Sequence, residues 1–377
     1  MTFEFRDLHR QYVAIKDEID CRIQSVIDKA SFIHGEEVSE LEKLLAEYVG
    51  VKHCITCANG TDALELALMA WGIGEGDIVF VPDFTFFASG EVVSAVGAVP
   101  VFVDVDKETY NMSPCALERM IVQVESSKGR PRAVIAVDLF GQTADYNEIR
   151  KITDKYDLLL LEDGAQAFGS KSCGRRACSF GNISTTSFFP AKPFGCYGDG
   201  GAVFTDNDDW AELIRSYCVH GKGSNKYDNV RIGMNSRLDT IQAAVLLAKY
   251  NQFENYELNF IQELAVDYNS RLEGIVDIPV INEGNFSSWA QYTVKVRSNH
   301  EREKLVSDLK KAGIPTAVYY PKPMHSQLAF REYKYSDNNY PNANSLSSTV
   351  ISLPFHPYMK ENEVELIVKE IRKSIGR

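Results

Sequence analysis

Lys192 stands in the segment Ser184–Thr205, STTSFFPAKPFGCYGDGGAVFT, where Asp199 is the only other charged residue. An amine in aromatic, glycine-rich surroundings gives up its proton more readily than one in water, because desolvation disfavours the ammonium. A neutral lysine amine is a nucleophile toward carbonyls. Gly198, Gly200 and Gly201 permit tight turns around Asp199. A second segment, LLLLEDGAQAFG at 158–169, places Asp163 just beyond an apolar run. A carboxylate at that end of a strand can hold a proton on a ring nitrogen by charge pairing. A third, CANGTDAL at 57–64, puts Gly60 and Thr61 where a loop opens a helix, and free N–H groups at a helix start suit a phosphate. Read singly, these are a surface lysine, a strand-end cap and a capped turn. Read together they supply a phosphate cradle, an acid for a pyridine nitrogen and a Schiff-base lysine, which is what a pyridoxal phosphate site requires.

These groups need a scaffold that brings distant segments together. Short apolar runs at 77–82, 98–105, 133–140 and 157–161 read as strands buried on both faces. Amphipathic segments at 36–49, 61–71, 89–96, 114–123 and 146–156 read as helices. The alternation predicts a doubly wound α/β domain. From Leu238 to about Leu272 the spacing is helical, with breaks. Beyond it come strand candidates at 290–296, 316–320 and 350–353 and helices at 302–312 and 361–375, an α+β pattern. The expected division is a large cofactor-binding domain with an N-terminal arm, residues 1–245, and a smaller C-terminal domain, residues 246–377.

The composition narrows the function. The 377 residues hold 40 Lys+Arg against 52 Asp+Glu, a net charge of −12, and no dense basic block. That disfavours a nucleic-acid partner. No apolar run is long enough for a membrane span, and the first residues do not resemble a signal peptide. The eight cysteines are scattered, with Cys54-x-x-Cys57 as the one suggestive pair and no second pair to complete a zinc site. Reduced thiols, no metal and a cytoplasmic protein are expected. The Gly72-Ile73-Gly74-Glu75-Gly76 cluster precedes a strand and lacks the dinucleotide-binding spacing, and no P-loop is present.

The chain resembles the DegT/StrS family of sugar-nucleotide aminotransferases, which are fold-type-I pyridoxal phosphate enzymes. The likeness runs through ANGTDAL (58–64), PDFTFFAS (82–89), LEDGAQAFGS (161–170), TSFFPAKPFGCYGDGGAVFT (186–205), GMNSRLDTIQAA (233–244) and YYPKPMH (319–325). It implies a large domain with a mostly parallel seven-stranded sheet between helices, and a smaller α+β domain. It implies that Lys192 forms the Schiff base and later carries a proton. Asp163 would pair with the pyridine nitrogen, Gln166 would lie near the phenolic oxygen, and Phe86 would stack on the ring. Gly60, Thr61 and Ser187 would hold the phosphate, joined by Asn235 from a second subunit, so that a homodimer builds the active site. Arg237, Tyr319, Tyr320 and His325 are the candidate substrate contacts.

The implied reaction takes an amino group from a donor, L-glutamate in the family's usual chemistry, to a keto sugar linked to a nucleotide. The product is an amino sugar for surface polysaccharide. Within the family the chain is most similar to transaminases of UDP-2-acetamido-3-keto-glucuronate. Those enzymes tend to carry His-Tyr-Pro where this chain has Tyr319-Tyr320-Pro321. A neutral 3-keto or 4-keto 6-deoxy sugar is therefore an alternative to the uronate. Two other readings stand beside it: a fold-type-I enzyme acting on an amino acid, and a non-catalytic pyridoxal phosphate-binding regulator.

Overall fold

The computed structural model describes residues 3–124, 129–225 and 227–376. Strands β1 (His53–Cys57), β2 (Asp77–Pro82), β3 (Val99–Val103), β4 (Arg130–Val137), β5 (Leu159–Asp163), β6 (Ile183–Ser187) and β7 (Gly201–Thr205) form one seven-stranded sheet. Their order is β1-β7-β6-β5-β4-β2-β3. The pairings from β6 through β3 are parallel, and β7 runs against both its neighbours. The mostly parallel sheet expected from the family resemblance is present.

Alternation along the strands explains the apolar runs. Ile78 and Phe80 enter one core with Val101, Val134 and Leu160. Val79 and Val81 enter the opposite core with Phe102, Ile135 and Leu161. A strand covered on both faces gains by being apolar at every position. Helices Pro114–Val124 and Tyr146–Lys155 cover the first face, and helices Gly60–Ala70 and Ala88–Ala95 the second. The strand expected at 133–140 ends at Val137, because the Asp138 N–H turns to the Asp163 carbonyl (3.0 Å) and a 3₁₀ turn, Leu139–Gly141, follows.

Helix Thr240–Gln252 runs through a π-helical turn, Phe253–Glu257, into helix Leu258–Leu272. The boundary expected at residue 245 falls inside the first of these helices. Strands β8 (Tyr292–Lys295) and β9 (Val350–Leu353) pair antiparallel, beside helices Asn299–Lys311 and Glu361–Ile375. The strand expected at 316–320 does not form; Ala317 alone bridges to Ser352. Pro315 and Pro321 flank that stretch and have no N–H to give a ladder. The segment Met324–Thr349 returns to the large sheet: the Met324 N–H donates to the Asp83 carbonyl (2.8 Å), and Phe330, Tyr340 and Leu346 join the core that holds Phe102.

The N-terminal arm crosses to the far end of the chain. Arg10 donates two hydrogen bonds to the Glu363 carboxylate (2.9 and 2.7 Å), and the Phe5 carbonyl accepts from the Phe355 N–H (3.2 Å). A bidentate guanidinium–carboxylate pair fixes orientation as well as distance.

Candidate active site

The carboxyl ends of the parallel strands gather the chemistry, where open α/β sheets bind ligands. Asp163 is the last residue of β5 and pairs in register with Val137 and Thr185. Its buried carboxylate accepts from the Ser89 hydroxyl (2.8 Å) and the Ala165 N–H (3.2 Å). Burial pushes its pKa up, against the pull of those two donors and of Lys192. A buried carboxylate held by two neutral donors has capacity left for a cationic partner.

Lys192 follows β6 on a turn closed by its own N–H to the Phe189 carbonyl (2.8 Å). Burial brings its amine down to about 8; the Asp163 carboxylate pulls it upward and the Arg6 guanidinium pushes it further down. Asp163 and Lys192, far apart in sequence, thus lie within electrostatic reach of each other.

The cradle lies at the start of helix Gly60–Ala70. Asn59 caps it by accepting from the Asp62 N–H (2.8 Å). The first N–H groups of a helix have no intrahelical acceptor. A Cβ at Gly60 would come within 2.7 Å of the Ser187 Cβ, and one at Gly201 within 2.5 Å of the Asn59 carbonyl carbon. Glycine at both positions lets helix, β6 and β7 approach closely enough for one small anion to meet the helix start and the Ser187 hydroxyl. Thr61 follows Gly60 in the same turn.

Aromatic and amide groups border this space. Phe86 is 52% exposed, unusual for a large apolar side chain, and its ring lies 6.2 Å from that of Tyr320. Gln166 is buried; its carbonyl accepts from the Phe140 N–H (3.0 Å) and its amide donates to the Tyr320 hydroxyl (3.1 Å). Tyr319 packs edge-on to Phe5 of the arm, ring centroids 6.3 Å apart.

Other candidates stand differently. His325 is turned inward, with Nδ1 2.6 Å from Asp83, Nε2 3.0 Å from Asp337 and its ring stacked on Tyr340. Both ring nitrogens are engaged within the chain. Asn235 is exposed; its carbonyl oxygen accepts from Arg237, and its neighbour Ser236 accepts from the Ala58 N–H (3.0 Å) beside the cradle. Two contacts escaped the sequence reading. Ser89 lay within the PDFTFFAS motif without an assigned role. Arg6, which donates to the Lys192 carbonyl (2.9 Å), carried no local signal.

The residues present fit pyridoxal phosphate: an anion cradle with no room for a side chain at Gly60, a buried carboxylate with spare acceptor capacity, a depressed lysine amine and an exposed ring face. Among the described residues no cluster of three or more His, Cys, Asp and Glu could hold a metal, and no helix is long and apolar enough to cross a membrane.

Comparison with known proteins agrees. The model of the DegT/DnrJ/EryC1/StrS aminotransferase family matches residues 13–372. The UDP-2-acetamido-2-deoxy-3-oxo-D-glucuronate aminotransferase of Pseudomonas aeruginosa is 45% identical over 97% of this chain and 98% of its own length. The UDP-N-acetyl-3-dehydro-α-D-glucosamine 3-aminotransferase of Acidithiobacillus ferrooxidans is 37% identical, covering 98% of this chain and 97% of its own. Among solved structures, a DegT/DnrJ/EryC1/StrS aminotransferase from Brucella abortus superposes with a TM-score of 0.96 at 46% identity, covering 99% of this chain and 100% of that one. NtdA from Bacillus subtilis, solved with bound cofactor PMP, gives 0.88 at 28% identity over 97% and 82% of the two chains.

Proposed function

Because the chain belongs to the DegT/DnrJ/EryC1/StrS aminotransferase family, we propose that it transfers the amino group of L-glutamate to C3 of a UDP-linked 3-keto sugar, with pyridoxal phosphate as cofactor. That it is an aminotransferase of keto sugars carried on nucleotides follows from the family and the relatives. The base, the ring position and the donor are the finer reading. The observation that carries it is the likeness, across nearly the whole chain, to a relative named for a UDP-linked 3-oxo sugar.

When bound, the cofactor supplies an aldehyde to carry the amine and a ring that withdraws electrons. Lys192 is the nucleophilic amine and the base at the donor's α-carbon. Asp163, kept in place by Ser89, holds the proton on the ring nitrogen. The N–H groups of Gly60 and Thr61 and the Ser187 hydroxyl bind the phosphate. Phe86 covers a ring face and excludes water from it. Gln166, tied to Phe140 and Tyr320, orients the side of the site where the phenolic oxygen would lie. Arg237, Tyr319 and Tyr320 face the sugar nucleotide, and His325 supports the loop that carries the two tyrosines.

A homodimer belongs to this reading. Asn235 is exposed in the single chain, and Tyr227, Val230 and Ile232 are 87%, 55% and 90% exposed within the same segment. Exposed apolar side chains grouped like this favour an interface, through which Asn235 would reach the partner's cradle. The proposed division into domains, 1–245 and 246–377, leaves the long helix as the link between them.

The absorption spectrum of the purified protein, before and after L-glutamate, tests the first half. A visible band bleached by glutamate is expected; no band, even with added pyridoxal phosphate, overturns the cofactor reading. Glutamate-loaded protein is then offered UDP-3-keto sugars with and without a C6 carboxylate, and dTDP-4-keto sugars. Aminated product from a UDP-3-keto sugar is expected, and turnover of the dTDP-4-keto sugars alone would refute the base and the position.

A further inference from the structure

The turn that carries Lys192 is gripped from behind at two points. Arg6, on the N-terminal arm, donates to the Lys192 carbonyl (2.9 Å) across a sequence separation of 186 residues. Lys249, fully buried on helix Thr240–Gln252, donates to the Gly195 carbonyl three residues further on. Neither contact follows from the element that supplies the lysine.

The charges around the turn are unbalanced. Arg6 has no carboxylate within ion-pair distance among the described residues; Glu257 is the acid that acts on it. Glu257, buried in the π-helical turn, has Oε1 already taken by the Gln11 amide (2.8 Å) and the Tyr358 hydroxyl (2.8 Å). Asp163 at the end of β5 acts on the lysine amine itself; around Arg6 and Lys249 lie Glu257 with its donor Tyr358, His356 after β9, and Cys196 of the turn. Burial and Arg6 bring His356 down to about 4, so it is neutral at pH 7, and burial keeps Tyr358 and Cys196 protonated. Arg6 and Lys249 together therefore outnumber Glu257 behind the lysine.

We propose that Arg6 is a positioning residue for Lys192: it fixes the lysine's turn through the backbone carbonyl and places an unpaired positive charge behind the amine, favouring the neutral, reactive form. Lys249 holds the other end of the turn. The proposal rests on Lys192 being the reactive amine. Desolvation and the Arg6 charge act on that amine in the same direction, against Asp163.

Competitive labelling of the cofactor-free protein with trace acetic anhydride, from about pH 6 to about pH 11, reads the titration of Lys192 by peptide mass spectrometry without any turnover. The wild-type midpoint is expected near 8. In Arg6→Gln it should rise by about one unit, leaving about tenfold less neutral amine at pH 7. Arg6→Lys, which keeps the charge, should hold the midpoint within a few tenths of a unit. A folded Arg6→Gln protein whose Lys192 midpoint does not move overturns the proposal. Should that variant fail to fold, Arg6→Met, which keeps an unbranched stem in the same space and carries no charge, gives the same reading: the midpoint should rise, and an unchanged midpoint overturns the proposal equally. A wild-type midpoint at the ordinary lysine value of about 10.4 would instead refute the assignment of Lys192 itself, whatever the variants do.

Discussion

Lys192 and Lys249 share one electrostatic signature and differ in what their amines touch. Burial lowers both amines to about 8. Lys249 is 2% exposed, donates to the Gly195 carbonyl and lies 5.5 Å from the centre of the Tyr197 ring. Its amine is spent on holding structure. Lys192 is only partly buried, lies within electrostatic reach of Asp163, and its amine has no acceptor among the described residues. A depressed lysine pKa therefore marks desolvation; the unengaged amine beside a carboxylate is what supports the proposal of Lys192, and not Lys249, as the nucleophile. The lesson is that perturbation identifies candidates and geometry chooses between them.

Replacing each lysine tests this contrast most severely. Lys192→Ala should lower the rate of amino transfer by at least about 10³-fold, since nucleophile and proton carrier are lost together. Borohydride reduction of the cofactor-loaded protein should then leave no mass gain on the 184–205 segment. Lys249→Met should keep the borohydride-trapped mass on Lys192. Trapping on Lys249 in the wild type would erase the distinction between the two.

Asp163→Asn addresses the carboxylate that acts on Lys192; the one that acts on Lys249, Glu257, is engaged by Gln11 and Tyr358. The asparagine fills the same space and can still accept from Ser89, but it carries no charge to hold a proton on the ring nitrogen. A loss of about 10²–10³-fold in turnover is expected, in line with removal of one preorganised electrostatic contact. Single-turnover kinetics with glutamate measures it. A loss below about threefold would show that the carboxylate only braces the strand end.

The difference between these two regions also explains what the sequence could reveal. Lys192 and Asp163 were legible because each lies in a short segment whose composition is unusual by itself, and because buried parallel strands announce their ends. Helix 36–49 and helix 361–375 were legible to the residue from apolar periodicity. The strand expected at 316–320 failed because β propensity was read without weighing the prolines on either side. Arg6 and Lys249 were invisible for a deeper reason. Each is one basic residue in an ordinary helical or polar stretch, and its meaning comes from a carbonyl brought to it by the tertiary fold. Ser89 falls between the two cases, inside a recognised motif yet informative only once helix Ala88–Ala95 is placed against β5.

Stability against pH sharpens the contrast at a smaller scale. A lysine whose folded pKa is about 8 releases its proton well before the unfolded chain does near about 10.4. Between those values the unfolded state binds more protons at that lysine, so the lysine's own contribution to stability rises with pH across that window and is flat below it, while buried thiols such as Cys54 and Cys178, whose pKa burial raises, contribute with the opposite sign. Both lysines contribute in the cofactor-free protein. Lys249→Met should make the slope of stability against pH less positive than that of the wild type between about pH 8 and pH 10, read from urea unfolding at about pH 7, 8, 9 and 10. An unchanged slope would mean that Lys249 keeps its proton through its carbonyl contact and belongs to a different class of site from Lys192.

Phe86 gives the smallest expected effect. Its ring is half exposed on the side of the site that Tyr320 also borders, whereas the rings near Lys249, such as Phe194 and Phe253, are packed into the core. Phe86→Leu keeps an apolar cover but removes ring stacking, worth about 0.5–1.5 kcal/mol. Cofactor affinity should therefore fall by about two- to tenfold, with folding stability unchanged because the side chain is not part of the core. Equilibrium dialysis against pyridoxal phosphate and a thermal melt of the cofactor-free protein separate the two quantities. A lowered melting temperature with unchanged affinity would make Phe86 a packing residue, and the boundary between core aromatics and site aromatics would have to be redrawn around Tyr320.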